Sequence, residues 1–285
     1  MSRSIGQKLP TRITYGYPWY AYQDVLTTLH QSGWVAGYYN FARSGFTTEQ
    51  ILNGDGKDAC DGAYTANGGT TSPLADATAI LAAHKGSWNR VLITGGINNT
   101  NWGDVLGRIG LHSAVLSPSV LTPAVVYPGT NPFYTATNCQ ADLDDWDGWN
   151  VGSLKSRTTF IQDVHDIASA LNGADQTARV LWVEYYNIAG AGNIGFGSPA
   201  PTACKDPMQS AMQALQQQIE LGLQGTTAQP APVHIGGGAI LGYFGSDVQP
   251  WYPDDTFTKL LQGVPGWPHP NSDGAKGIAA GLILH

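Results

Sequence analysis

Charge is the first thing this chain is short of. Asp, Glu, Lys and Arg make up 12% of its 285 residues, about half the share of an ordinary soluble domain. The formal net charge is −7, and no run of Lys or Arg breaks the acidic balance, which argues against a nucleic-acid partner. Long apolar runs are missing too. No stretch approaches the roughly 18 residues that span a bilayer, so no transmembrane segment is expected. The opening MSRSIGQKLPTRITYG has no apolar core of the kind a secretory signal needs. Cysteine is scarce: Cys60, Cys139 and Cys204 are the whole set, so at most one disulfide closes within the chain. All three fall in predicted loops, and because free Cys is usually buried this favours a disulfide set short of a member over three loop thiols in a reducing compartment. His30, His84, His112, His165, His234 and His285 show no metal-ligand spacing, so neither a metal nor a cofactor is expected. Repeats and dividing linkers are also absent, which leaves one domain over residues 1–285.

What is present is glycine and aromatic side chains: 36 Gly, 9 Trp and 13 Tyr. Surfaces of that kind are associated with secreted enzymes acting on sugars or lipids. Short apolar runs alternate with amphipathic ones. Helices are predicted over Trp19–His30, Leu74–His84, Ser156–Leu171, from a cap at Asp206 to Leu223, and over Ser272–Leu284. In the fourth, Met208, Met212, Leu215, Ile219 and Leu223 form one core-facing stripe. Strands are predicted at 35–39, 90–94, 179–186 and 233–237. Such alternation argues an α/β fold with a mostly parallel sheet covered on both faces. Residues 111–155 read as one weak strand-like piece followed by loop, and 187–204 as another loop. Both follow strands on the carboxyl side, where such sheets place their sites.

Three stretches carry candidate chemistry. In HPNSDG (269–274) the histidine sits on a turn that opens the last helix, with Pro270 and Ser272 or Asp273 suited to the helix start. His269 is thereby fixed as a general base must be. Taken alone it reads equally well as a turn histidine without a role. In TGGINNTNW (94–102) a glycine pair follows a strand, and Asn98 projects an amide at the strand's carboxyl end, where it can stabilise an oxyanion. Alone, Asn98 and Asn99 read equally well as turn formers. In NFARSGFTTEQIL (40–52) Gly45 lies in a turn, able to offer its backbone N–H. Thr47 or Thr48 with Glu49 or Gln50 forms a helix start with capping.

Together the three resemble the SGNH (GDSL-like) hydrolase family, in its secreted actinobacterial lipase and esterase branch. NFARSGFTTEQIL is similar to the second block, whose glycine N–H serves the oxyanion hole. GGIN (95–98) is similar to the third block, and WPHPNSDG to the fifth, which holds the base. Met1-Ser2-Arg3-Ser4 and Tyr17-Pro18 stand where that branch has comparable residues. The resemblance covers about Tyr17 to the end. It implies a flavodoxin-like three-layer α/β/α sandwich and carboxylic-ester hydrolysis through an acyl-enzyme. The implied roles are His269 as base and Gly45 and Asn98 as oxyanion donors. It further implies a small-molecule, lipid or glycan ester substrate, a monomer and a secreted location.

The departures are specific. Gly-Asp-Ser, whose serine is the family's nucleophile, does not occur; Gly245-Ser246-Asp247 has the letters in another order and place. Asn99 stands where Asp is usual. Gly266 stands where the triad Asp is usual, a change that a backbone carbonyl can offset by orienting the imidazole. The nucleophile is thus unknown, and an N-terminally incomplete chain is the leading explanation. In a sheet of order 2-1-3-4-5 the first strand is central, and RITY (12–15) is the one segment able to fill that slot. The alternative is a catalytically inactive SGNH-like domain that binds glycan or lipid. Gly190–Gly195 matches GxGxxG but has no helix after it. Asp142, Asp144, Asp145 and Asp147 lack EF-hand spacing and read as a solvated acidic loop.

Overall fold

The computed structural model describes residues 37, 39–41, 46–54, 72–113, 115–116, 126–127, 131–144, 157–183 and 202–231. In chain order these form α1 (Thr48–Asn53), α2 (Pro73–Ala83), β1 (Arg90–Ile93), α3 (Trp102–His112), β2 (Val115–Leu116), β3 (Val126–Tyr127), α4 (Ala136–Leu143), α5 (Arg157–Ala174), β4 (Arg179–Val183), α6 (Lys205–Leu223) and β5 (Gln229–Ala231). β1, β4 and β5 make a parallel sheet in that order, and β2 pairs antiparallel with β3. The order is the one expected of the last three strands of a 2-1-3-4-5 sheet. The predicted strands at 12–15 and 233–237 and the helices at 19–30 and 272–284 lie outside the described residues. Of 35–39 only Gly37 and Tyr39 are described, and neither is in a strand.

β4 shows why the sheet must be covered twice. Val180 and Trp182 point into the main core with the helices, while Leu181 and Val183 on the opposite face are buried as well. A strand apolar on both sides holds its place only with a layer on each. The fold is accordingly α/β.

On the core side α5 is the central helix, in contact with α1, α2, α6 and β4. Thr158 and Thr159 in its first turn each cost under about 0.7 kcal/mol of helix propensity. Burial of Phe160, Val164, Ile167 and Leu171, roughly 1.5–3 kcal/mol each, outweighs that. α6 lies against it on the predicted stripe, with Met208, Met212, Leu215, Ile219 and Leu223 all buried. The two helices approach closely at Gly222, where a Cβ would fall 2.6 Å from that of Val164. The Gly222 carbonyl bonds His165 Nδ1 at 3.2 Å.

Three expectations are corrected. The described part of 111–155 holds helix that was not expected: α3 runs into the stretch and α4 lies within it. In α3 the glycines at 103, 107 and 110 hide the spacing of Val105 and Ile109, which are both buried. α4 starts with a reciprocal cap between Thr135 and Asn138 and buries Cys139, Asp142 and Leu143. Cysteines are not all in loops either: Cys139 is in α4, bonded to Cys204 in the 3-10 turn that leads into α6. Cys60 lies outside the described residues. Finally, Cys204 rather than Asp206 is the N-cap of α6; Asp206 occupies the first turn, where its charge still favours the positive end of the helix dipole.

The disulfide ties positions 65 apart in sequence, which by loop-closure entropy is worth about 4 kcal/mol. Cys204→Ser is therefore expected to lower the urea midpoint strongly under oxidising conditions and not at all relative to the reduced wild type. An equal midpoint in the oxidised proteins would contradict the bond.

Asp175 follows α5 and knits the starts of β1 and β4. It accepts from Asn89 Nδ2 at 2.7 Å, Thr177 N at 3.0 Å and Thr177 Oγ1 at 2.7 Å. The Thr177 hydroxyl first, then the Asn89 amide and the Thr177 and Gly86 backbone N–H groups, lower its pKa to about 2 against the opposing effect of burial. A folded pKa below the unfolded 3.8 gives stability that is present above that value and lost as pH falls through about 2. Asp175→Ala should thus be less stable than wild type at pH 7, and the difference in unfolding midpoint should shrink between pH 4 and pH 2. A difference independent of pH would contradict the assignment.

Candidate active site

The carboxyl end of β1 delivers its loop by constrained geometry. Gly95 leaves the strand, and its carbonyl accepts the buried Trp182 indole N–H at 3.2 Å. Gly96 follows at φ 121°, and a Cβ there would meet the Phe160 ring at 2.9 Å, so both conformation and space require glycine. The chain then closes a 3-10 turn over Ile97–Asn99. Successive residues of such a turn point in different directions, and here the two asparagines separate: Asn98 is exposed and Asn99 is buried.

Asn99 faces inward onto the start of α1. Its Oδ1 accepts from Thr48 N at 3.0 Å, and its Nδ2 donates to Thr48 Oγ1 at 2.9 Å. Thr48 Oγ1 in turn donates to Asp163 Oδ2 at 2.8 Å, from the middle of α5. The orientation is forced: a backbone N–H can only donate, so the amide oxygen must face it and the amide nitrogen must face the hydroxyl. The hydroxyl proton is then left for Asp163. An aspartate at 99 cannot supply the Nδ2 donor. Asparagine at 99, where the block it resembles has an acidic residue, thus has a local reason.

Asn98 faces the other way. Its Nδ2 donates to the Phe46 carbonyl at 3.2 Å. Phe46 is buried and ends the segment that enters α1 through Thr47, whose side chain and backbone share a reciprocal cap with Gln50. The capping expected at 47–50 is present, and the segments read as two separate candidate blocks are in contact. Gly45, the predicted backbone donor, lies outside the described residues, though it is bonded to Phe46. His269 also lies outside them. So do Gly266, the Gly190–Gly195 glycines, Asp145 and Asp147.

The acidic stretch is corrected. Asp142 is not a solvated loop residue: it is buried on α4 and accepts from Tyr134 Oη at 2.6 Å. It also pairs with His112 Nδ1 at 2.7 Å, and its carbonyl accepts from Arg108 Nη2 at 3.2 Å. Burial first, then the bond to Asp142 and its charge, push the Tyr134 hydroxyl far above its ordinary range, so it remains a donor. This cluster joins α3 to α4 beside the disulfide. Among the described residues no group of three or more His, Cys, Asp or Glu is placed to hold a metal ion, and no helix is long and apolar enough to cross a membrane.

Sequence reasoning missed the Thr48–Asn99–Asp163 chain. A signal existed: Asp163 falls on the face of α5 that carries Phe160, Val164 and Ile167. A carboxylate on an apolar face needs a buried partner.

No family model matches the chain, and no curated protein matches it. Among the solved structures similar to it are the following two. One is a phospholipase A1 from Streptomyces albidoflavus NA297, 16% identical, with a TM-score of 0.49, covering 95% of this chain and 85% of that one. The other is an extracellular lipase from Streptomyces rimosus, 14% identical, with a TM-score of 0.44, covering 95% and 86%. A likeness of that depth leaves the activity of this chain to be argued from its own residues.

Thr48→Val keeps shape and removes the hydroxyl that receives Asn99 and serves Asp163. It should destabilise the fold by about 1–3 kcal/mol, since buried partners lose their bonds. Chemical denaturation checks this, and a loss below a few tenths would contradict the network.

Proposed function

We propose that the chain is a carboxylic-ester hydrolase of the SGNH type, a single domain over residues 1–285. In this reading Asn98 and Gly45 are oxyanion donors and His269 is the base. The observation that carries it is the Asn98 contact with Phe46. That contact supports the reading because it ties two loops, each weak as a motif alone, at the carboxyl end of a parallel strand. The Asn98 amide has two N–H bonds. One is engaged by the Phe46 carbonyl, which fixes the plane of the group. The other is the donor proposed for the oxyanion.

The chemistry follows from those roles. A nucleophile, not assigned here to any residue, attacks the ester carbonyl, and negative charge develops on its oxygen. Asn98 Nδ2 and the Gly45 N–H stabilise that charge in place before the reaction, so no reorganisation is needed at the barrier. His269 takes the nucleophile's proton and returns it to the departing alcohol, then activates water to release the acid. The low charge and high aromatic content support a lipid or glycan ester as substrate and a secreted location.

Hydrolysis of p-nitrophenyl acetate by the full chain tests this. Asn98→Ala should lower kcat about 10²–10³-fold with KM little changed, and His269→Ala about 10²–10⁴-fold. Unchanged rates in both variants would contradict the proposal.

A further inference from the structure

At the opposite end of the strands from Asn98, two arginines stand together with no acidic partner among the described residues. Arg90 and Arg179 open β1 and β4 and are register partners in a parallel pair, so their side chains leave the same face of the sheet. The next pair, Val91 and Val180, packs into the core on the helix side, which puts the arginines on the other face. Arg90 Nε is shielded from solvent and has no hydrogen-bond partner. A buried donor left unpaired is costly and calls for an explanation. The guanidinium carbon of Arg90 lies 5.4 Å from the centre of the Trp88 ring, and Trp88 is 62% exposed. Lys85, also exposed, is in the turn just before it.

The described charges around this pair do not neutralise it. Burial, and then repulsion by Arg179, hold Arg90 below its ordinary range. Among the described residues no ion pair joins a carboxylate to either arginine, and the pair of His112 with Asp142 lies elsewhere, between α3 and α4. Asp175 is held against this turn through Asn89, and its oxygens accept from Asn89 and Thr177 rather than from either arginine.

We propose that Arg90 and Arg179, with the Trp88 ring against Arg90, form a binding site for a phosphate-type oxyanion. Stacking on an indole occupies the flat face of a guanidinium and leaves its N–H edge free. A phosphate has enough oxygens to take that edge and bridge to the second guanidinium. Such a ligand satisfies Nε and replaces the repulsion between the arginines by attraction to a shared anion. Free phosphate and the phosphate of a lipid headgroup offer the same chemistry. The site lies one strand length, about 10 Å or more, from the Gly95–Asn98 turn, so it is distinct from the proposed ester site.

The test is thermal unfolding of the full chain in phosphate against chloride of equal ionic strength. Co-sedimentation with phosphatidylcholine vesicles, with and without phosphatidic acid, runs alongside it. Phosphate should raise the wild-type Tm above chloride, or phosphatidic acid should recruit the protein to vesicles. The first result assigns the site to a free phosphate, the second alone to a headgroup, and either supports it. Arg90→Gln and Arg179→Gln should each weaken the effective affinity about tenfold or more. Arg157→Gln, the same charge change at the far end of α5, should not. Should Arg90→Gln fail to fold, Arg179→Gln at its exposed position carries the test alone. No response to either source, or equal responses in wild type and Arg179→Gln, would overturn the proposal. Both readouts measure binding, so they stand whether or not the chain hydrolyses esters.

Discussion

The bond from Thr48 N to Asn99 Oδ1 is the constraint on which the candidate site depends. It joins the first turn of a short helix to the loop after β1, across 51 positions of sequence. Six residues of helix do not hold themselves in water, so α1 is placed by what it is attached to. The attachment continues through Thr48 Oγ1 to Asp163 in α5, the helix against which α1, α2 and α6 all pack. Once Thr48 is fixed, Phe46 is fixed, and the Phe46 carbonyl in turn sets the plane of the Asn98 amide. The exposed asparagine thus owes its orientation to the buried one beside it.

The same sheet is finished differently at its two edges. At the carboxyl edge, Gly95 and Gly96 let the backbone pass close to Trp182 and Phe160, and a polar amide emerges into solvent. At the amino edge, Asp175 collects the donors of Asn89 and Thr177 and closes the starts of β1 and β4. Arg90 and Arg179 remain there with positive charge that no described carboxylate meets. Away from both edges, the disulfide and the His112–Asp142–Tyr134 cluster fasten α3 and α4 to the N-terminus of α6. They serve the region of the chain whose strands are only two residues long, where ladder bonds contribute little.

How much of this was legible in the sequence depended on the range of the forces involved. β4 and α6 were readable because RVLWV and the Met208–Leu223 stripe express burial in a local period. The 47–50 cap was readable because capping is a contact three residues long. α3 and α4 were missed where glycine broke the period and where polar residues such as Asp142 were buried by partners distant in sequence. Asn98 was read as projecting an amide at a strand end, and the structure places that amide against the Phe46 carbonyl. That Asn99 does the structural work was not readable, since its partners are Thr48 and Asp163. The arginine pair was invisible for the same reason: only the register of β1 against β4 brings the two together.

The central claim is that Asn98 and His269 serve one ester-cleaving centre. The most direct measurement is a crystal structure of the full chain after reaction with a p-nitrophenyl alkylphosphonate, whose phosphoryl oxygen mimics the oxyanion. The account predicts a covalent adduct whose nucleophile lies within hydrogen-bond reach of His269, with the phosphoryl oxygen about 2.7–3.1 Å from Asn98 Nδ2. An adduct formed elsewhere on the chain, with Asn98 still bonded only to Phe46, would contradict it.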